Sequence, residues 1–151
     1  MAAIVWVALF AGVYFVIDAT QRPKVATVIG NNEIQSPRSR DGHFYVPGAI
    51  NGQPVTFMVD TGASTVSVGY QHAQRLGLPR GRQVMVGTAN GYTQAEEVLA
   101  QTVSVGDILI RDVRIVILPN NSGEPLLGQN VLKHLDILQS QELMTLKPRR
   151  S

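Results

Sequence analysis

The run Phe57-Met58-Val59-Asp60-Thr61-Gly62-Ala63-Ser64 sets one carboxylate directly after three apolar residues and directly before a turn. A charged carboxylate taken out of water costs several kcal/mol unless it is paired or hydrogen-bonded. The residues after Asp60 offer such partners. Thr61 and Ser64 carry hydroxyls and Gly62 leaves the backbone open, so N–H and O–H groups can surround the carboxylate, stabilise its charged form and fix its plane. A carboxylate held in this way is suited to general acid–base chemistry. An aspartate that merely caps its own turn shows the same local pattern.

Two elements must position this group. Val55, Phe57 and Val59 alternate with Thr56 and Met58, which predicts a strand with one buried face that ends at Asp60. Farther along, Pro125-Leu126-Leu127-Gly128-Gln129-Asn130-Val131-Leu132 reads as an apolar strand broken by a glycine and running straight into a helix. Around them the signals are those of short strands rich in Val, Ile and Thr: Phe44 to Ile50, Val84 to Gly87, Val98 to Val105, Ile108 to Ile110 and Val113 to Leu118. Turns are expected at Asn51-Gly52, Asn90-Gly91, Gly106-Asp107 and Asn120 to Gly123, with Asn-Gly between apolar runs the strongest short hairpin signal. Tyr70 to Leu76 and Gln129 to Leu135 read as the helices of a mostly β body.

Composition narrows the function classes. The 151 residues, 44% hydrophobic and 16% charged, suit one domain with a core. Thirteen Lys and Arg against 11 Asp and Glu are scattered rather than striped, so no nucleic-acid partner is expected. With no cysteine there is no disulfide framework, thiol nucleophile or thiolate zinc site. His43, His72 and His134 lie far apart without acidic companions at ligand spacing, so neither a metal nor a cofactor is expected. Asp60-x-Gly62-x-x-Thr65 faintly echoes a phosphate-binding ATPase loop, but that fold needs two large α/β domains, more than this chain can supply.

The N-terminus differs in kind. Ala2 to Ile17 has no charged or strongly polar side chain, so no face of a helix built from it suits water. As a helix it would reach roughly 24 Å, which flanking residues or local thinning can fit to a hydrocarbon core of ~30 Å. Residues 1–17 are therefore expected to form a transmembrane anchor; a cleaved signal peptide fits less well, with no Lys or Arg ahead of the run and no clear small-x-small site after it. Residues 18–42 are polar, contain Pro23 and Pro37, and read as a linker. The folded domain is placed at 43–148, with a basic tail at 149–151.

Taken together, these motifs resemble the retropepsin-like (clan AA) aspartic proteases. That family has a hydrophobic strand ending in Asp-Thr/Ser-Gly-Ala/Ser, then a glycine-tipped flap hairpin, then a hydrophobic-hydrophobic-Gly-x-Asn segment leading into a short helix. Here the three are Val59 to Ser64, Thr88-Ala89-Asn90-Gly91-Tyr92, and Leu126-Leu127-Gly128 with Asn130. The similarity extends over Asp41 to Leu146 and is nearest to bacterial membrane-anchored members, through Asp41-Gly42-His43-Phe44, Asn51-Gly52-Gln53-Pro54-Val55 and Arg75-Leu76-Gly77-Leu78. Two positions depart from viral relatives. Gln129 stands where they often carry Arg and Thr65 where they often carry Asp, so the ion pair that braces the site in those relatives is absent.

The resemblance implies a closed β-barrel with one or two short helices and an aspartic endopeptidase in which Asp60 is catalytic, supported by Thr61, Gly62, Ala63 and Ser64. Residues 88–92 would form the substrate-covering flap, and side pockets would involve residues such as Val86, Tyr92, Leu118 and Leu126. This chemistry needs two carboxylates that share a proton. Asp18, Asp41, Asp107, Asp112 and Asp136 all lack the Asp60 setting, so the second is expected from an identical subunit of a homodimer. Strands from Asp136 to Leu146 are expected at that interface. The substrate would be an extended polypeptide. A catalytically inactive peptide-binding domain of the same fold is the alternative. Arg22, Lys24, Arg38 and Arg40 after the apolar run favour a cytoplasmic body by charge, whereas the resemblance implies a bacterial inner-membrane protein facing the periplasm.

Overall fold

In the computed structural model, which describes residues 4–9, 26–29 and 32–150, the chain is mostly strand, and β2 and β4 bury alternate residues on one side. In chain order they are β1 (Thr27–Ile29), β2 (Glu33–Pro37), β3 (Tyr45–Ile50), β4 (Gln53–Val59), β5 (Val66–Gly69), β6 (Arg82–Thr88), β7 (Gly91–Val105), β8 (Ile108–Leu118), β9 (Leu126–Leu127), β10 (Leu135–Gln139) and β11 (Leu143–Pro148). Helix α1 (Tyr70–Arg75) follows β5, and α2 (Gln129–Leu132) follows β9. In β4, Val55, Phe57 and Val59 point inward while Thr56 and Met58 are half-buried on the other face. Asn51 and Gly52 link β3 to β4 with φ of 49° and 78°, the positive-φ pair that a two-residue hairpin needs.

Seven strands form one sheet in the order β3-β4-β9-β5-β8-β7-β6. An additional antiparallel pairing of β3 with β7, Gly48 opposite Val105 and Ile50 opposite Val103, brings the sheet back on itself. The circuit closes as a barrel, with β6 on the outer flank of β7. Phe57, Ile50, Val66, Val68, Ile115 and Leu127 fill its interior and are fully buried. Truncating a side chain as large as Phe57 in such a core costs about 3–5 kcal/mol. The second sheet runs β1-β2-β11-β10 and sends Ile34, Leu135, Met144 and Leu146 into the same core.

Several expectations change. Residues 18–42, read as linker, contain β1 and β2. Ile34 is fully buried, and Ser36 is buried with its hydroxyl donating to the Tyr45 carbonyl at 2.9 Å. The body therefore takes in residues well before His43. A buried serine in the second inward position hides the alternation, and the partner strand β11 is remote in sequence. The pair of strands expected over Ile108–Ile110 and Val113–Leu118 is one strand, with Asp112 at φ 54° inside it. The helix expected from Gln129 to Leu135 stops at Leu132, and Leu135 opens β10.

Of the expected anchor, residues 4–9 are helical, while 1–3 and 10–17 lie outside the described residues. Among the described residues, no helix is long and apolar enough to cross a membrane.

Candidate active site

Asp60 sits half-buried at the point where β4 leaves the barrel. The backbone before it is held from two sides. Val59 N–H donates to the Phe44 carbonyl at 2.9 Å, and Met58 N–H to the Pro125 carbonyl at 2.8 Å. Asp60 N–H donates to the Leu127 carbonyl at 3.1 Å, continuing the parallel pairing that sets Met58 against Leu126 and Val59 against Leu127. Side-chain freedom is limited as well, because the Gly62 N–H donates to Asp60 Oδ1 at 2.9 Å. Ala63 N–H closes the turn on the Asp60 carbonyl at 3.2 Å.

The second motif locks this turn from below. Gln129 N–H donates to the Ala63 carbonyl at 2.8 Å and Asn130 N–H to the Ser64 carbonyl at 3.0 Å, so the start of α2 is fastened to the loop. The Asn130 side chain accepts the Val66 N–H at 2.9 Å through Oδ1 and donates to the Arg114 carbonyl at 2.8 Å through Nδ2, tying β5 to β8. Gly128 is required by space. A Cβ there would lie 2.3 Å from the Thr65 carbonyl oxygen and 2.8 Å from the Thr65 nitrogen, both backbone atoms.

Gln129 is the residue whose role was not legible. The sequence marks it only as the absence of a charge. In the structure its Nε2 donates to the Thr61 carbonyl at 2.9 Å, so a neutral amide bridges helix and loop at the position where the expected departure was the loss of an ion pair. A long polar side chain directly after the glycine is the signal that could have found it.

The structure brings Asp60 to Ser64, Leu126 to Gly128, Gln129 and Asn130 into one constellation. It does not bring residues 88–92 there. These cap the β6–β7 ribbon, with Thr88 opposite Gly91 across the two-residue turn Ala89-Asn90. The tip is closed by its own atoms: Asn90 N–H donates to Thr88 Oγ1 at 3.2 Å, and that hydroxyl donates to the Gly91 carbonyl at 2.8 Å. Tyr92 is 83% exposed. Of the residues expected to line side pockets, Leu126 lies beside Met58 while Val86 and Tyr92 stand out on the ribbon. A cavity of ≈ 270 Å³ lies at the root of the ribbon, lined by Tyr70, Gln83, Gln94, Glu96 and Ile117 among others, and Asp60 is not part of its wall.

Beside the site, Tyr45 opposes Met58, and its hydroxyl donates to Asp41 Oδ2. That hydrogen bond, with a second from His43 N–H, holds the Asp41 carboxyl below its usual range. Burial, then the bond to Asp41, then the charges of Asp41 and Glu124 push the Tyr45 phenol up to about 12.

Comparison with known proteins agrees with this geometry. The family model described as "gag-polyprotein putative aspartyl protease" matches residues 46–134. An uncharacterised Sinorhizobium sp. protein from the cobV 5′ region is 33% identical over 125 residues, covering 78% of this chain and 54% of that protein. An uncharacterised protein of Rickettsia prowazekii (strain Madrid E) is 37% identical over 86 residues, covering 55% of this chain and 36% of that one. The chain thus matches about half or less of the length of these curated relatives. The crystal structure of a retropepsin-like aspartic protease from Rickettsia conorii superposes with a TM-score of 0.67 at 30% identity, covering 76% of this chain and 89% of that one. With the barrel, the Asp60 turn and the braced glycine motif in place, the chain belongs to this gag-type aspartyl protease family and has a retropepsin-like fold.

Proposed function

We propose that the protein is an aspartic endopeptidase, with Asp60 of each of two identical subunits forming the catalytic pair. The observation that carries this reading is the Asp60 turn. Its carboxylate is oriented by the Gly62 N–H at 2.9 Å, and its backbone is clamped to β9 while the group stays open to solvent. Two such carboxylates a few ångströms apart cannot both be ionised, so the pair keeps one proton. The ionised member takes a proton from water, which attacks the amide carbonyl. The protonated member gives its proton to the carbonyl oxygen; the member that took a proton from water then passes it to the departing nitrogen, and as the C–N bond breaks a hydroxyl of the diol returns a proton to the first member. The flap would close over an extended peptide that adds to the enzyme as a strand.

One chain brings a single Asp-Thr-Gly, so the second carboxylate is assigned to a second copy. A surface for it is available. Among the described residues, the β1-β2-β11-β10 sheet ends in two edge strands and exposes Val28, Ile29, Leu138 and Leu143, apolar groups that pairing would remove from water. The apolar run over residues 1–17 is assigned as a membrane tether, with the protease domain on the periplasmic side of a bacterial inner membrane. A C-terminal reporter active only in the periplasm supports that placement, and one active only in the cytoplasm refutes it.

Asp60→Asn keeps an oxygen for the Gly62 N–H but cannot hold or release the shared proton. Incubation with an unfolded protein at mildly acidic pH should show cleavage by the wild type and a loss of about 10³-fold or more in the variant. Equal cleavage by both would refute the assignment. Peptide binding without cleavage by either would favour the inactive binding domain.

A further inference from the structure

Asp60 directly follows β4, and its N–H continues the pairing to the Leu127 carbonyl at 3.1 Å, so the alternation of the strand extends to it. Side chains two apart on a strand point the same way, so Met58 faces as Asp60 does. Residues directly opposed on neighbouring strands share a face too. Tyr45 opposes Met58 from β3, and Leu126 opposes it from β9. Tyr45 is buried, while Met58 and Leu126 are half-buried, so this row offers an apolar wall beside the carboxylate.

The wall has a charged rim. Because Met58 N–H donates to the Pro125 carbonyl at 2.8 Å, the Glu124-Pro125 segment is held against the row. Glu124 is exposed, and no hydrogen bond or ion pair engages its carboxylate among the described residues. The neighbouring acid, Asp41, is already engaged by the Tyr45 hydroxyl and the His43 N–H. Among the described residues, Glu124 is therefore the acid of this rim without a hydrogen-bond or ion-pair partner. A side chain with an apolar stem and a cationic end fits both features, laying its methylenes along Met58 and Leu126 and its charge at the rim. Asp or Glu in the same place would meet like charge.

We infer that Glu124 is a specificity-determining residue of the apolar wall beside Asp60, selecting a peptide with Lys or Arg flanking the bond that is cut. This rests on the protease reading above.

The test uses the full chain and a peptide set that varies one flanking position among Lys, Arg, Leu and Glu. Wild-type kcat/KM should favour Lys or Arg over Glu by about five- to ten-fold, the range that one incompletely desolvated charge pair supports. Glu124→Gln should bring that ratio close to one, and Glu124→Lys should invert it. Near 1 M salt, where the Debye length is ~3 Å, the wild-type preference should shrink. The same peptides are also titrated onto Asp60→Asn, which reads binding without turnover. Cleavage with no basic preference, or a preference unchanged in Glu124→Gln, overturns the inference and leaves the protease reading standing. Absent cleavage, with Glu124-dependent binding of basic peptides, does the reverse. Neither cleavage nor selective binding overturns both.

Discussion

The loop around Asp60 and the tip of the β6–β7 ribbon are both hairpin-scale segments, yet they are held in opposite ways. The loop is tied to β9 and α2, and Asn130 ties α2 to the start of β5, by partners more than 60 residues away; Asn130 also reaches the Arg114 carbonyl of β8. The tip is held by residues within three positions of one another. Over Val84–Thr88 and Gly91–Ala95 the ribbon has two strands and, among the described residues, no third, because the pairing of β7 with β8 begins at Glu96. Two strands alone are marginal in water. Only the ribbon's root is pinned: Glu96 accepts from Arg80 at 3.0 Å and from the Gly81 N–H at 3.1 Å, and Arg82 pairs with Glu97 at 2.7 Å. The proposed catalytic group is built into the core, and the segment proposed to open for a peptide is left to local contacts.

That contrast can be broken most forcefully at Gly128. Gly128→Ala drives a Cβ into the Thr65 backbone and should lower stability by about 3–5 kcal/mol, read as a fall in the urea midpoint. Asn130→Ala leaves the Val66 N–H and the Arg114 carbonyl without their partner, for a loss of about 2–4 kcal/mol by the same measurement. Tyr45 adds a pH dependence on the site's side of the molecule. Its folded pKa, about 12, lies above the ordinary 10.0, so its contribution is complete below pH 10 and is lost as pH rises from 10 toward 12. Tyr45→Phe should flatten that decline. The smallest effect belongs to the tip, where Tyr92→Ala should change stability by less than about 0.5 kcal/mol while raising KM for a peptide. A Tyr92 effect as large as that at Asn130 would erase the distinction between the two regions.

Legibility in the sequence follows the same division. Val55 to Val59 and Asn51-Gly52 declare themselves because alternation and turn chemistry are local, and both form as expected. Asp60 and the Leu126-Leu127-Gly128 stretch stand out because an acid and a glycine interrupt apolar runs. The strands β2 and β5 were not legible. β2 buries only Ile34 and Ser36 and depends on β11, while β5 is a four-residue run buried on both faces between distant neighbours. The bracing roles of Gln129 and Asn130 were hidden for the same reason: an amide shows its partner only once the chain has brought the two together.

The central claim is that one Asp60 is useless without another, and mixing measures it directly. Wild-type chains and Asp60→Asn chains are refolded together in varying ratio, and cleavage is followed at constant total protein. If each active unit needs two intact aspartates, activity falls as the square of the wild-type fraction, to about one quarter at equal mixing. A fall in simple proportion, to about one half, would show that a single chain cleaves by itself and would contradict the account.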